Sequence, residues 1–575
     1  MIRIARTIAP LLRALLFTSA TCAAVSAATL GMVGCNDENA PETWVKKLDD
    51  PIQRPAAIKR LIQFFEDAMT KANKDRNDAN VKALLDKIIA PLTKVYVDAQ
   101  IDDRTRVELI KFLSDARDTR AKDAWIKGCT GFAEGNGVFE DDVCWIALVM
   151  GATKLEEGAP ALGQAFIKLE AGTQKGSQAY KNVHDAMLQL VSPQWKGIII
   201  ERLNHKIDKP SGAGDSAKVT AYQNELFWQT TSAELAGELK DPAAVKALFK
   251  CVMTPSKADV AGTATMALIK MGKESVPFLV NAITGKDAEI VDYAKTISGA
   301  SPEEAKAYVK AAAVVLGAIG RPDAVGPMVQ ALDAADNDVT RAVVARELTK
   351  LPSTPESQKA FMAAFEKIAP AALMPPTGQN ARAQLMESAS HFYDPQLVPW
   401  LLKQIKGAKG SDNDKDALQL AALVTGIKIM NKGQVADVKA AVDKEGTQIE
   451  KDALRLATDV VNGCGDNVAC YVSKVQEPMA QEEKTQFMGI KAAYMLAILG
   501  NAGTSMEIVK QLPKVKNAAV RFSAVSAIDH LTQAQPAPIA DALQKIIDEN
   551  KAKNDRNLML GDAPVKEIVY RLRAR

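Results

Sequence analysis

From Trp44 onward, apolar residues recur three and four positions apart, in stretches broken by short polar turns. This is the spacing of amphipathic helices. The pattern is plainest between Ser301 and Leu351. Ser301-Pro302-Glu303-Glu304 predicts a helix start, with serine as N-cap, proline first in the helix and a glutamate to close a capping box. An apolar helix is expected from Ala305 to Ile319. Gly320 ends it, because glycine enters the left-handed conformation without a steric penalty. Arg321-Pro322-Asp323 turns the chain, and Val325, Met328, Val329 and Leu332 mark a second amphipathic helix. Asp336-Asn337-Asp338 turns it again, and Val339 to Ala345 begins a third helix. The expectation is one helical hairpin stacked on the next.

The theme returns along the chain. Second helices share a phrase in Glu274-Ser275-Val276-Pro277-Phe278-Leu279, Asp323-Ala324-Val325-Gly326-Pro327-Met328 and Pro395-Gln396-Leu397-Val398-Pro399-Trp400. A proline early in a helix loses no hydrogen bond, since the first amides have no intrahelical partner. The turn before this helix recurs as Lys240-Asp241-Pro242, Gly320-Arg321-Pro322 and Tyr393-Asp394-Pro395. First helices are alanine-rich, as in Val260 to Leu268 and Val520 to Ile528. The Val-Arg opening, the alanine-rich first helix, the proline turn and the Ala-Val-x-Pro-x-Leu second helix resemble HEAT repeats of the bacterial, lyase-like kind. The match is strongest from Lys240 to Lys403 and from Met488 to Leu531. The resemblance implies an all-α chain, an α-solenoid (superhelix) of HEAT-like hairpins, with second helices lining the inner surface and first helices the outer. Lys209 to Asp215 reads as a flexible break between residues 44–208, a divergent N-terminal set of repeats, and residues 216–575. Met374 to Gly378 and Gly407 to Asp414 interrupt the array again.

Composition narrows the class. A chain of 575 residues with 47% apolar and 25% charged residues exceeds one compact core, whereas a repeat array has no such ceiling. Arg3, Arg6 and Arg13 precede an uncharged stretch from Ala14 to Val33, which reads as an export signal over residues 1–34. Leu30-Gly31-Met32-Val33-Gly34-Cys35 resembles the lipobox of bacterial lipoproteins, which implies a lipidated Cys35. Met32 and Val33 depart from the commonest residues of that motif. Residues 35–43 follow as a polar tether. A conventional cleavage near Ala27 and an uncleaved anchor are the competing readings. Without the three signal arginines the formal charge of +3 falls to zero, which argues against broad nucleic-acid affinity.

The cysteines fit an exported protein. Cys464 and Cys470 flank a short loop, and Cys129 and Cys144 flank a glycine-rich turn. Both pairs are expected as disulfides, with Cys251 free. Catalytic and metal chemistry have no pattern to rest on. The four histidines, His184, His205, His391 and His530, are far apart in sequence. None forms an HExxH helix or joins a CxxC. His391, near a helix end, reads as a cap or packing residue. Asp412 to Asp416 resembles the start of a calcium loop, but Ala417 and Leu423 stand where glycine and glutamate are needed. No catalytic, cofactor or metal residue is assigned.

The function expected is therefore a non-enzymatic, protein-binding scaffold of the bacterial cell envelope, lipid-anchored, with protein partners on the concave face. Asn281, Gln330, Lys403, Gln404 and Lys510 fall between apolar positions of second helices and are the candidate partner-binding residues. The alternatives are a lyase-like or accessory HEAT enzyme, and a structural component binding peptidoglycan or an outer-membrane complex.

Overall fold

The computed structural model describes residues 37–170, 174–210, 212, 215–298, 306–375, 377–406, 412–533, 536–553 and 561–575. The signal segment with Cys35, and the expected helix start at Ser301 to Glu304, lie outside the described residues. Among the described residues the chain is all-α apart from one antiparallel pair, β1 (Leu373–Met374) with β2 (Gln379–Asn380), in the register Leu373 opposite Asn380.

Residues up to Pro91 and residues from Leu92 onward form two compact units. In the first, the helix Arg54–Lys71 buries Ala57, Ile58, Leu61 and Phe65. These positions are one, three and four residues apart, so they share one face. Val81, Leu85, Ile88 and Ile89 are buried on the next helix. An ion pair joins Lys87 to Glu42 at 2.7 Å.

The second unit is a solenoid of stacked hairpins. Its first helices are α1 (Asp103–Ala116), α2 (Glu140–Thr153), α3 (Gln174–Leu190), α4 (Ser216–Leu239), α5 (Ala258–Met271), α6 (Ala307–Ile319), α7 (Asp338–Leu348), α8 (Ala381–Ser388), α9 (Asp412–Ile429), α10 (Gln448–Cys464), α11 (Phe487–Leu499) and α12 (Ala518–Leu531). Each packs on the next, forming a continuous row. The Lys209–Asp215 stretch lies inside this unit, and hydrogen bonds cross it. Trp228 Nε1 donates to the Phe166 carbonyl at 3.0 Å, and Gln229 Nε2 to that of His205 at 3.2 Å.

The hairpin turn has a simple physical basis. A left-handed residue ends the first helix: Arg117, Lys154, Lys240, Gly320 or Tyr393. An aspartate then accepts the backbone amide two residues on, as Asp241 does from Ala243 at 3.2 Å and Asp394 from Gln396 at 2.8 Å. Proline follows the aspartate and opens a short 3-10 turn into the second helix. Arginines near the start of first helices close the preceding second helix. Arg341 donates to Ala335 O at 2.6 Å, Arg382 to Ile368 O at 2.7 Å and Arg521 to Leu512 O at 3.0 Å. Carbonyls at a helix C-terminus lack intrahelical donors and carry partial negative charge, so a cation suits them.

The two rows differ in burial. In α6, Val309, Ala312, Ala313 and all of Val315 to Ile319 are buried, and in α11 Lys491 to Ala497 are buried without a gap. The second helix Val325–Asp333 buries only Val325, Met328, Ala331 and Leu332, and Val435–Glu445 only Val438 and Val442. A helix apolar on every side is covered on every side. α6 and α11 are therefore covered on nearly every side, whereas these two second helices keep a solvent face.

From α5 onward the row closes on itself. The last helix, α13 (Ala563–Ala574), packs on α12 and also on α5 and α6. Glycines make room for it. A Cβ on Gly272, at φ +56°, would stand 2.5 Å from Ala574 Cβ.

Candidate functional site

The closure is pinned by three arginines. Arg571 Nη1 donates to Gly317 O at 2.8 Å and Ala318 O at 2.9 Å, the last turn of α6, and Nη2 donates to Lys350 O at 3.0 Å. Arg575 Nη1 donates to Asp529 O and Thr532 O at 2.8 and 2.9 Å, at the end of α12. Arg321 reaches Ala574 O at 3.0 Å, at the end of α13. Each arginine thus satisfies carbonyls that a helix end leaves without donors. Between them sits Asp529, one oxygen 2.9 Å from Arg571 and the other 2.7 Å from Arg575. Burial pushes the Asp529 carboxyl up, but the two guanidiniums outweigh it and hold the group below its ordinary value.

A cavity of about 210 Å³ opens beside this cluster. Its walls come from the segment after α7, the turn after α8, α12 and α13. Its charged and imidazole lining is His391, His530, Asp529, Glu567, Arg571, Arg575 and Lys350, with Ser526 and Gln533 beside them. Burial, together with Lys428, Lys350 and Arg571, lowers His391 to about 4. Burial likewise lowers His530, against the pull of Asp529. Both imidazoles are therefore neutral near pH 7. Tyr393 packs on His530 with ring centres 4.5 Å apart and on Tyr494 at 5.2 Å. Ser390 Oγ and Tyr494 OH are 3.0 Å apart, so α8, α11 and α12 meet across the enclosed side. Tyr393 holds φ +50° where the equivalent turn at α6 has Gly320. A left-handed aromatic residue is uncommon and costs about 1–2 kcal/mol.

The residues singled out in the sequence lie elsewhere. Asn281, Gln330, Lys403 and Lys510 are exposed on second helices. The first three hold the same place, the sixth residue of Val276–Ile283, Val325–Asp333 and Val398–Lys406. Gln404 turns inward, 9% exposed, and donates to Glu366 Oε1 at 3.0 Å. One residue further along a helix is a rotation of about 100°, enough to leave the solvent face. Cys464 and Cys470 are bonded, with Cα atoms 5.5 Å apart. Cys129 and Cys144 are separate thiols, not the staple expected. Cys129 is fully buried in the core, whereas Asn182 Nδ2 contacts Cys144 Sγ at 3.1 Å. Flanking one turn does not make two side chains face each other.

The cavity residues escape sequence reasoning because they are drawn from four distant segments. One local signal exists: Arg571 and Arg575 are four apart, hence on one face of the final helix. Among the described residues no group of three or more His, Cys, Asp or Glu could hold a metal ion, and no helix is long and apolar enough to cross a membrane.

No family model matches the sequence, and no curated protein matches it. Among solved structures the chain is similar to importin beta in an ammonium sulfate condition, with 10% identity over 92% of this chain and 67% of that one, at a TM-score of 0.38. It is similar to Kap121p, with 10% identity over 91% and 69%, at 0.31. It is also similar to SYS-1, with 9% identity over 92% and 98%, at 0.24. Likenesses this slight leave the fold to be read from the helix packing itself.

Proposed function

We propose that this chain is a non-enzymatic scaffold of the bacterial cell envelope, anchored by lipid on Cys35, that binds protein partners along its second helices. The observation that carries the reading is the repeated exposed polar position: Asn281, Gln330 and Lys403 at the sixth place of their helices, with Lys510 exposed further along. A solenoid offers such positions in register over a long surface, and contacts of this kind bind by area and shape. The buried sides of the first helices are committed to holding the array together. The second helices are free to meet a partner.

The anchor rests on the basic, then apolar, then Gly34-Cys35 order of the first residues. A disulfide between Cys464 and Cys470 suits an oxidising compartment. The near-zero charge beyond the signal favours proteins over nucleic acid as partners. A photo-crosslinking residue at position 330 or 403, activated in cells, should yield one dominant protein adduct. Its absence at both positions refutes the scaffold. Cys35→Ser should abolish incorporation of a labelled fatty acid, and retained labelling refutes the anchor.

A further inference from the structure

The first unit has little freedom to leave the proposed anchor. From Asp37 onward the polar stretch is tied to the first helix, Pro41–Lys47. Asp37 O accepts the Ala40 amide at 3.0 Å, and the Asp37 carboxylate accepts the Asn39 amide at 2.9 Å. Glu38 O accepts the Trp44 indole N–H at 2.9 Å. Three peptide links join Cys35 to Glu38. A fully extended chain covers about 3.5 Å per residue, so lipid on Cys35 would hold Glu38 within about 11 Å of the bilayer surface. The indole bonded to Glu38 is held there with it.

What the unit presents at this end is apolar. Only Thr43 is buried in Pro41–Lys47, which leaves Trp44 and Val45 part-exposed. The turn that follows carries Ile52, 89% exposed, the most exposed large hydrophobic side chain among the described residues. That turn is fixed. The Ile52 amide donates to Asp50 Oδ1 at 2.9 Å, Gln53 Nε2 to Asp50 Oδ2 at 2.6 Å, and Arg54 Nε to Leu48 O at 2.8 Å. Seven helical residues span about 10 Å, so the turn stays in reach of the surface that holds Glu38. Charge decides the kind of contact. Residues 37–60 hold five basic and five acidic side chains, which leaves no net pull toward an anionic partner. Lys47 Nζ stands 3.9 Å from the centre of the Trp44 ring. A tryptophan beside a lysine suits the interfacial layer, with the ring among the headgroups and the ammonium in water.

We propose that this end of the first unit docks on the phospholipid bilayer that holds the lipidated Cys35, with Ile52 seated among the headgroups and Trp44 at the interface. The short reach selects the occupant, because the anchor keeps the bilayer beside these side chains at all times. The contact is apolar, so a zwitterionic lipid suffices. The exposed face of the next helix, Arg54–Lys71, carries Gln63, Glu66, Asp67 and Thr70 and stays in water. Among the described residues no helix is long and apolar enough to cross a membrane, and interfacial docking requires none. The inference rests on the lipid anchor and adds a second, reversible attachment beside it.

The test uses the full chain, purified from membranes and reconstituted in phosphatidylcholine vesicles. A fluorescent amino acid replaces Gln53, beside Ile52, or Lys71, at the far end of the next helix. Both positions are exposed. The quencher is phosphatidylcholine with a nitroxide high on its acyl chain. Quenching should be strong at position 53 and at least about threefold weaker at position 71, about 27 Å along the helix. Ile52→Asp, at a side chain too exposed to unfold the unit, should bring position 53 down to the level of position 71. Adding phosphatidylglycerol should change neither. Equal quenching at the two positions, no quenching at 53, quenching that survives Ile52→Asp, or quenching that needs phosphatidylglycerol would each overturn the proposal. Mass analysis of the same sample separates the two readings: lipid on Cys35 without quenching at 53 sinks the docking alone, and no lipid on Cys35 sinks both.

Discussion

Replacing Arg571 by methionine removes the pin that closes the ring while keeping most of the side chain's volume. Arg571 is 3% exposed, and its guanidinium meets Gly317 O, Ala318 O, Lys350 O and Asp529. Breaking one side of a buried ion pair costs about 3–5 kcal/mol, because the remaining charge stays desolvated. Arg575 still holds the other Asp529 oxygen at 2.7 Å, which places the expected loss near about 3 kcal/mol. A long helical array does not unfold in one step, so a single unfolding free energy is the wrong readout. Hydrogen exchange resolved over α13 and the last turn of α6 is the right one. A loss of about 3 kcal/mol speeds exchange there by roughly two orders of magnitude, while α1 and α2 stay unchanged. Adding Asp529→Asn should restore part of the protection, since the orphaned carboxylate is then gone. Acceleration below about tenfold, or equal acceleration along the whole chain, would refute the reasoning.

Gly272→Ala forces a Cβ at φ +56° against Ala574, at 2.5 Å from its Cβ. It should loosen α13 by at least about 1–2 kcal/mol, read as faster exchange in α13, whereas the same change at Gly262, with open space around it, should not. His391 carries a pH signature. Its folded value of about 4 lies below the ordinary 6.5, so the unfolded chain binds more protons between those limits. Stability at the closure is therefore complete above about pH 6.5 and falls by up to about 3 kcal/mol as pH drops to about 4. Comparing exchange of α12 and α13 in the native chain and His391→Asn from pH 4.5 to 7 isolates that slope. Parallel pH profiles would count against it.

The hairpin architecture is legible because its causes are local. Gly320 stops α6 where its left-handed tolerance requires, and the Asp-Pro turns appear where Asp241 and Asp394 cap. The arginine after valine at Val520-Arg521 is visible as a recurring letter, but its use, closing the helix before it at Leu512, requires the packing. The same holds for Lys491, fully buried and donating to the carbonyls at Ile427, Lys428 and Met430. The all-round burial of α6 is also written in the chain. Ala311 to Ile319 is apolar all round, the mark of a helix with no solvent face. The ring closure itself has no local cause. Gly272, Gly317 and Asp529 belong to separate helices, and only the fold brings them to Arg571, Ala574 and Arg575.

The account turns on which row faces partners, and thiol labelling in two settings tests it. Single cysteines are placed at Asn281→Cys, Gln330→Cys, Lys403→Cys and Lys510→Cys, with Ala313→Cys and Ala493→Cys, both fully buried, as controls. In the purified chain the four second-helix positions should react quickly with a maleimide and the two controls should not. In intact envelopes the partner should slow at least two neighbouring second-helix positions. Equal rates in both settings at all four positions, or ready labelling of Ala313→Cys, would contradict the account.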